Sequence, residues 1–377
     1  MHNKKQIWLT LIISVCITLF GILIFFWIEN KKISKLENII ENKLDYKIDS
    51  NSKSDLLSLQ NALISMIQWA WKSVVSITIS KNMKTYGDDP SVIFKPWTSS
   101  AKVGGGSWII VRKDWYIITS KHVVQDTSAK YSITLSDGKI YNVDKIWFDD
   151  ILDVAILRVV DNDGNPVNNL PTANIAEIEN NIQIGQFVFA IWNALSEYPN
   201  TFSMWILSAR NKEFKINKTN VYVWLYQSNL AINPGNSGGP LIDINWNVIA
   251  LNTAESESNG ISFSLPISKE FVDTAIASVE KYNKITRPLI WIQYVDINDP
   301  TNKLNGIQVK DVLADFPGKQ AGIEIGDVIS AVNGKQINKN MPFLYQLYTY
   351  MPGDKINLTV ERNGEKLEFP VVLGENN

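Results

Sequence analysis

Apolar and polar positions divide the chain into four stretches. Ile7 to Ile28 is an apolar run of 22 residues without a charge, and about 20 apolar residues span a bilayer as a helix. The run exceeds the hydrophobic segment of a cleaved signal peptide, and no small-x-small cleavage site follows it. An uncleaved transmembrane helix is therefore expected within residues 1–28. Lys4 and Lys5 flank one end and Lys31, Lys32 and Lys35 the other, so the positive-inside rule assigns no orientation. Residues 29–65 are polar, with Ile33, Leu36, Ile40 and Leu44 at helical spacing, and read as a helical stalk.

From Val74 the period shortens. Twelve β-type runs, among them SVVSITI, SWIIV, YIITS, DVAILRVV, VYVWLYQS and ISFSLP, alternate with turn signals up to Pro266. Close spacing with little helix between predicts a barrel or sandwich. Ser268 then caps a helix running to about Tyr282, with Phe271, Ala275 and Val279 on one face. Arg287-Pro288 reads as a boundary. Beyond it lie strands near 307–312, 328–332, 355–361 and 366–373 and a helix around 342–350. The expected division is 1–28 anchor, 29–65 stalk, 66–283 β domain and 284–377 small mixed domain.

Hydrophobic residues make up 45% of the 377, enough to give two or three domains a core. The net charge is −2 and no predicted face concentrates Lys and Arg, so no nucleic-acid partner is expected. Cys16 is the single cysteine and the two histidines are His2 and His122. That removes a disulfide framework, a cysteine zinc site and a polyhistidine metal centre; neither metal nor cofactor is expected.

The segment with chemical content is NPGNSGGP, Asn233 to Pro240. A serine among glycines lets the backbone turn sharply and converge N–H groups where charge develops on a carbonyl oxygen. Alone, the pattern more often means a solvated hairpin. A nucleophilic serine also needs a base, and His122 follows the strand-like YIITS. The base needs a carboxylate to fix its tautomer. Asp153 stands at the entrance of the apolar run VAILRVV; Asp149 and Asp150 are rivals that read as solvated turn residues. The α/β-hydrolase elbow, the other G-x-S-x-G context, places its histidine after the serine, and no histidine follows residue 122. The order His122, Asp153, Ser237 is that of chymotrypsin.

TSKHVV, DVAILRV and NPGNSGGPL together resemble the HtrA/Deg serine proteases. The resemblance continues through IALNT, GISFSLP, RPLIWIQ and MPGDKINLTVERNG. It implies a mainly β fold: a chymotrypsin-like double β-barrel followed by a small α+β PDZ domain, behind an N-terminal transmembrane helix. It implies Ser237 as nucleophile, His122 as base and Asp153 as its orienting acid, with an oxyanion hole from the N–H groups of Gly235 and Ser237. Ile261, Ser262, Phe263, Ser264 and Leu265 match the strand lining the S1 pocket and suggest small or medium apolar P1 residues. Leu289, Ile290, Trp291 and Ile292 match the PDZ loop that captures a peptide carboxylate as the peptide adds a strand to a sheet edge. Protein substrates, peptide C-termini, a homotrimer and an extracytoplasmic location on the cell membrane are implied with it. The competing function is a catalytically weak chaperone or adaptor; an intact His122, Asp153 and Ser237 set argues against it.

Thirteen Trp stand against twenty Gly, where Gly ordinarily runs at about 7%. Asp137-Gly138, Asn333-Gly334 and Asn363-Gly364 are hairpin signals in which Gly supplies a positive φ. Asp114-Trp115 and Asn245-Trp246 occupy equivalent hairpins, where Trp is sterically out of place. Trp108, Trp115, Trp192, Trp205, Trp246 and Trp291 all fall where the resembling motifs carry Gly, and Trp147 is a weaker case. The expected cause is UGA codons read as Trp in translation and as Gly in the cell.

Overall fold

In the computed structural model, residues 27–32, 34–35, 50–85, 97–104, 106–177, 182–194, 198–215, 221–229, 236–256, 260–299 and 304–375 are described. The chain separates into residues 1–64 and 65–377. Helix is present at 27–32 and 34–35, and α1 (Ser50–Ala70) covers the end of the expected stalk. No helix among the described residues is long and apolar enough to cross a membrane. The expected transmembrane run lies, apart from Trp27 and Ile28, outside the described residues, as do Ile33, Leu36, Ile40 and Leu44.

The β-type runs close into two barrels. The first contains β1 (Val74–Thr85), β2 (Trp97–Gly104), β3 (Ser107–Ile110), β4 (Tyr116–Thr119), β5 (Lys130–Thr134), β6 (Ile140–Phe148) and β7 (Ala155–Val160). Its strand order is β2-β1-β3-β4-β7-β6-β5, and β1 also pairs with β5, which seals a six-stranded ring with β2 outside it. Inward side chains, among them Ile77, Trp108, Ile110, Ile117 and Leu157, pack one apolar core. A one-turn helix, α2 (Lys121–Val124), follows β4.

The second barrel contains β8 (Asn174–Ile175), β9 (Phe187–Ala194), β10 (Tyr198–Lys215), β11 (Val221–Ser228), β12 (Pro240–Ile242), β13 (Asn247–Ser256) and β14 (Ile261–Pro266). The order β12-β9-β10-β11-β14-β13-β8 closes through β12 on β13. All twelve expected strands are present; β2 and β8, outside the rings, are additional. Helix α3 (Lys269–Tyr282) begins as expected, with the Ser268 hydroxyl accepting from Phe271 N at 3.2 Å, and buries Phe271, Ala275 and Val279.

The C-terminal domain runs β15 (Pro288–Leu289), β16 (Ile292–Asp299), β17 (Leu304–Val312), α4 (Pro317–Gln320), β18 (Val328–Val332), β19 (Lys335–Gln336), α5 (Phe343–Leu347), β20 (Lys355–Arg362), β21 (Glu365–Val372) and β22 (Gly374–Glu375). Its main sheet has the order β16-β17-β18-β20-β21, which leaves β16 at an edge.

One buried ion pair joins the domains. Arg287 and Asp149 are 1% and 0% exposed, with Arg287 Nε 2.8 Å from Asp149 Oδ2. The guanidinium also donates from Nη1 to Tyr348 O at 3.2 Å and lies 4.0 Å above the Phe271 ring. It thus ties the end of the first barrel to α3 and to the C-terminal domain. Truncating one partner of such a pair strands the other charge in the interior, a loss of about 3–5 kcal/mol. Arg287→Ala should lower unfolding stability by that amount, and adding Asp149→Asn should restore part of it; chemical denaturation of the wild type, single and double variants measures both effects.

Candidate active site

The strand that carries the expected base is fixed before the base appears. β4 is buried throughout and ends at Thr119, whose hydroxyl donates to Ser107 O at 3.3 Å. Ser120 donates to Asn252 O of the second barrel at 3.3 Å. α2 then turns the chain so that His122 meets Asp153 twice. His122 N donates to Asp153 Oδ1 at 3.0 Å, and Nδ1 lies 2.8 Å from Oδ2. The Asp153 side chain is 3% exposed and the imidazole 35%. The carboxylate therefore sits in the interior holding one ring nitrogen, while the opposite side of the ring reaches toward solvent.

The loop that carries Asp153 is held in turn by Asp149. Asp149 Oδ1 accepts from Ile151 N at 2.9 Å and Leu152 N at 3.0 Å, and its backbone N–H donates to Val154 O at 2.9 Å. Lys121 Nζ donates to Asp149 O at 2.8 Å. The reading of Asp149 as a solvated turn residue is corrected here. Its carboxylate is fully buried because two loop N–H groups and Arg287 compensate its charge, a compensation that buried carboxylates require. Tyr222 on β11 is a further neighbour of Asp153. Burial, then the Asp153 charge and a hydrogen bond to that carboxylate, push its phenol up from the ordinary tyrosine value. Neither residue has a local sequence signal, since Arg287 and Tyr222 are distant in sequence from the loop they complete.

Ser237 belongs to a turn on the second barrel that is pressed against this framework. Gly238 N donates to Asn252 O at 2.8 Å, Asn252 N donates to Gly239 O at 2.9 Å, and Ser107 N reaches Ser237 O at 3.4 Å. Gly238 has φ 78°. A Cβ there would overlap Thr119 Oγ1 and lie 2.8 Å from Ser107 O. Glycine is thus demanded twice, by backbone conformation and by contact between barrels. Through it Ser237 is carried on a turn that touches the end of the strand leading to His122. Ser237 itself is half-buried. Gly235, the other expected oxyanion donor, lies outside the described residues.

The expected specificity strand is β14, which pairs with β11 and β13. Ser262, Phe263, Ser264 and Leu265 are buried and Ile261 half-buried. Ser264 Oγ donates to Asn252 Oδ1 at 2.9 Å, which links β14 to the serine turn. Leu265 is placed differently from its strand neighbours. It lines a cavity of about 80 Å³ together with Asp153, Tyr222, Trp224, Thr253 and Tyr348.

In the C-terminal domain, Leu289 ends β15 and Ile292 opens β16. Ile290 is buried and its carbonyl accepts from Gly318 N at 2.9 Å. Trp291 has φ 52° and its carbonyl accepts from Leu313 N at 3.2 Å. No group of three or more His, Cys, Asp or Glu that could hold a metal occurs among the described residues.

Residues 106–251 match the trypsin-like peptidase domain and residues 288–373 match the PDZ domain. The Serine protease Do-like HtrA of Lactobacillus helveticus is 30% identical over 346 residues, covering 84% of this chain and 80% of that protein. The chain belongs to the HtrA family of serine proteases. A second relative is the probable periplasmic serine endoprotease DegP-like of Chlamydia trachomatis serovar D, 30% identical over 71% of this chain; this chain spans 53% of its length. Among solved structures, the HtrA-type protease AlgW with tripeptide is 25% identical with TM-score 0.56, covering 83% of this chain and 97% of that one. The double barrel and the small C-terminal domain are the parts of the chain that match the trypsin-like peptidase and PDZ families.

Gly238→Ala tests the contact between the barrels. The left-handed backbone alone disfavours a side chain by roughly 1–2 kcal/mol, and the overlap with Thr119 adds to it. The unfolding midpoint should fall by at least that equivalent, whereas an unchanged midpoint would show that the turn can move away at no cost.

Proposed function

We propose that this protein is a membrane-anchored, ATP-independent serine endopeptidase that cuts misfolded or regulatory envelope proteins, with the PDZ domain binding exposed peptide C-termini. The observation that carries the reading is the doubly hydrogen-bonded His122–Asp153 pair on one barrel, with the Ser237 turn of the other barrel locked against it through Gly238. In the reaction, Ser237 Oγ attacks the scissile carbonyl and His122 takes its proton, later delivering it to the leaving amine. Asp153 holds the tautomer and stabilises the imidazolium that forms. The N–H groups of Gly235 and Ser237 stabilise the oxyanion. The strand Ile261–Leu265 forms the wall that selects small or medium apolar P1 side chains.

β16 supports the peptide-binding part of the reading. It is an edge strand, pairing only with β17 among the described residues, and an edge is where a peptide adds as a further strand. The AlgW structure holds a tripeptide, and the Chlamydia relative is named periplasmic. Both favour an extracytoplasmic protease that engages peptide ends. The apolar run Ile7 to Ile28 favours the anchor, and family membership favours a homotrimer joined through the protease domains.

Ser237→Ala and His122→Ala should each lower casein turnover on the order of 10⁴-fold or more, with the far-ultraviolet spectrum of the folded protein retained. Retained activity in His122→Ala would sink the assignment, because His2 is the only other histidine in the chain. Wild-type protein that binds casein without cutting it would favour the adaptor function instead.

A further inference from the structure

Ten residues other than glycine have positive φ among those described. Six are Asn169, Asn211, Asn283, Asp315, Asn333 and Asn363, the side chains that tolerate the left-handed region because they bond to their own local backbone. The other four are all tryptophan: Trp115 at 63°, Trp224 at 60°, Trp246 at 72° and Trp291 at 52°. No other bulky residue type is present in the set. A bulky side chain there is a steric outlier.

Each of the four sits where local structure asks for glycine. Trp115 closes the turn from β3 to β4, with Val111 N donating to Tyr116 O at 3.3 Å across it. Its buried indole N–H has no acceptor, although a buried indole ordinarily finds one. Trp246 ends a turn built on Asp243, whose Oδ1 accepts from Asn245 N and Asn247 N at 2.9 and 3.0 Å. Trp224 falls at a register shift between β10 and β11, where the Lys212–Leu225 pair is followed by Phe214–Tyr222. A left-handed residue at such a bulge is ordinarily glycine. Trp291 joins β15 to β16, its ring stacked on Phe316 at 4.6 Å. That ring covers Gly374 so closely that a Cβ on Gly374 would overlap it.

Strain concentrated at a functional site would be one explanation, but Trp115 and Trp246 lie in separate hairpins of different barrels. Chance replacement would draw on many residue types. One process makes tryptophan alone: UGA is one base from the glycine codon GGA, and a UGA codon decoded as glycine but transcribed on paper as tryptophan writes this residue and no other.

We infer that the native protein carries glycine, encoded by UGA, at positions 115, 224, 246 and 291. The inference rests on backbone geometry and is independent of the proteolytic reading. It also bears on the PDZ site. On the peptide-binding reading above, glycine at 291 removes the ring stacked on Phe316 and pressed against Gly374 and opens the head of edge strand β16 to a peptide carboxylate. Trp108 and Trp205 are separate cases. Their indole N–H groups are buried without an acceptor, but Trp71 shares that property and none of the three has a positive φ. The side chain of Trp192 lies outside the described residues.

The test is to read the four codons in the gene and to identify the four residues by peptide mass spectrometry of the protein purified from its own cells. UGA codons with the peptide masses of glycine are expected. UGG codons overturn the inference, and so do UGA codons whose peptides carry the mass of tryptophan. Casein turnover plays no part in either measurement, so a failed protease assignment leaves this result standing and the reverse.

Discussion

The carboxylate of Asp149 is the constraint on which the described architecture converges. It is wholly buried, and a buried charge persists only when its partners replace the water it has lost. One oxygen takes two N–H groups of the loop that leads to Asp153; the other takes Arg287 from the segment between the domains. The same group thus shapes the acid's loop and fastens the C-terminal domain. Arg287 adds a link to the backbone of Tyr348 beyond α5. Displacing the guanidinium therefore has two consequences. It removes a domain contact, and it leaves the buried Asp149 charge to the two loop N–H bonds.

The second dependence is between the barrels. Neither ring alone contains the candidate site: His122 and Asp153 belong to the first and Ser237 to the second. Ser107 N on Ser237 O and the Ser120 hydroxyl on Asn252 O tie the rings together here, while Gly238 N on Asn252 O and Asn252 N on Gly239 O fix the serine turn within the second ring. Backbone contacts of this kind admit little adjustment, because moving one carbonyl breaks its partner's hydrogen bond and leaves a polar group unsatisfied. Asn252 extends the arrangement to β14 through Ser264, so the strand expected to select the substrate side chain and the turn bearing the nucleophile share one anchor.

Short β-rich runs bounded by turn residues made the twelve principal strands legible, several of them buried throughout, and Ser268, a strong cap, made α3 legible. β2, β8 and β16 escaped for one shared reason. They lie at sheet margins, where a strand is defined by its pairing partner more than by an apolar pattern. The pairing of His122 with Asp153 was legible from order and context. Asp149 was not: DDILD reads as a polar turn until Arg287, 138 residues away in sequence, is brought against it. The same contrast separates the tryptophans. Trp115 and Trp246 follow Asp and Asn in recognisable hairpins, so the misfit is visible in sequence. Trp224 lies inside an unbroken strand-like run, and only the pairing register with β10 reveals the bulge.

The four left-handed tryptophans also have to be reconciled with the stability of the whole. Each such position disfavours a side chain by roughly 1–2 kcal/mol, and four together amount to several kcal/mol. Domains fold with a margin of only about 5–15 kcal/mol. The ordinary remedy for such a turn is a single substitution to Asn, Asp or Gly, and this chain uses it at every other described position with positive φ. A protein that places Asn333-Gly334 and Asn363-Gly364 in its C-terminal hairpins has turn residues suited to their backbone. Keeping an indole in the matching positions of β3–β4 and β12–β13 would accept backbone strain at turns where glycine fits the φ without it. Glycine removes the contradiction without moving any backbone atom, since the observed φ values are already those it favours.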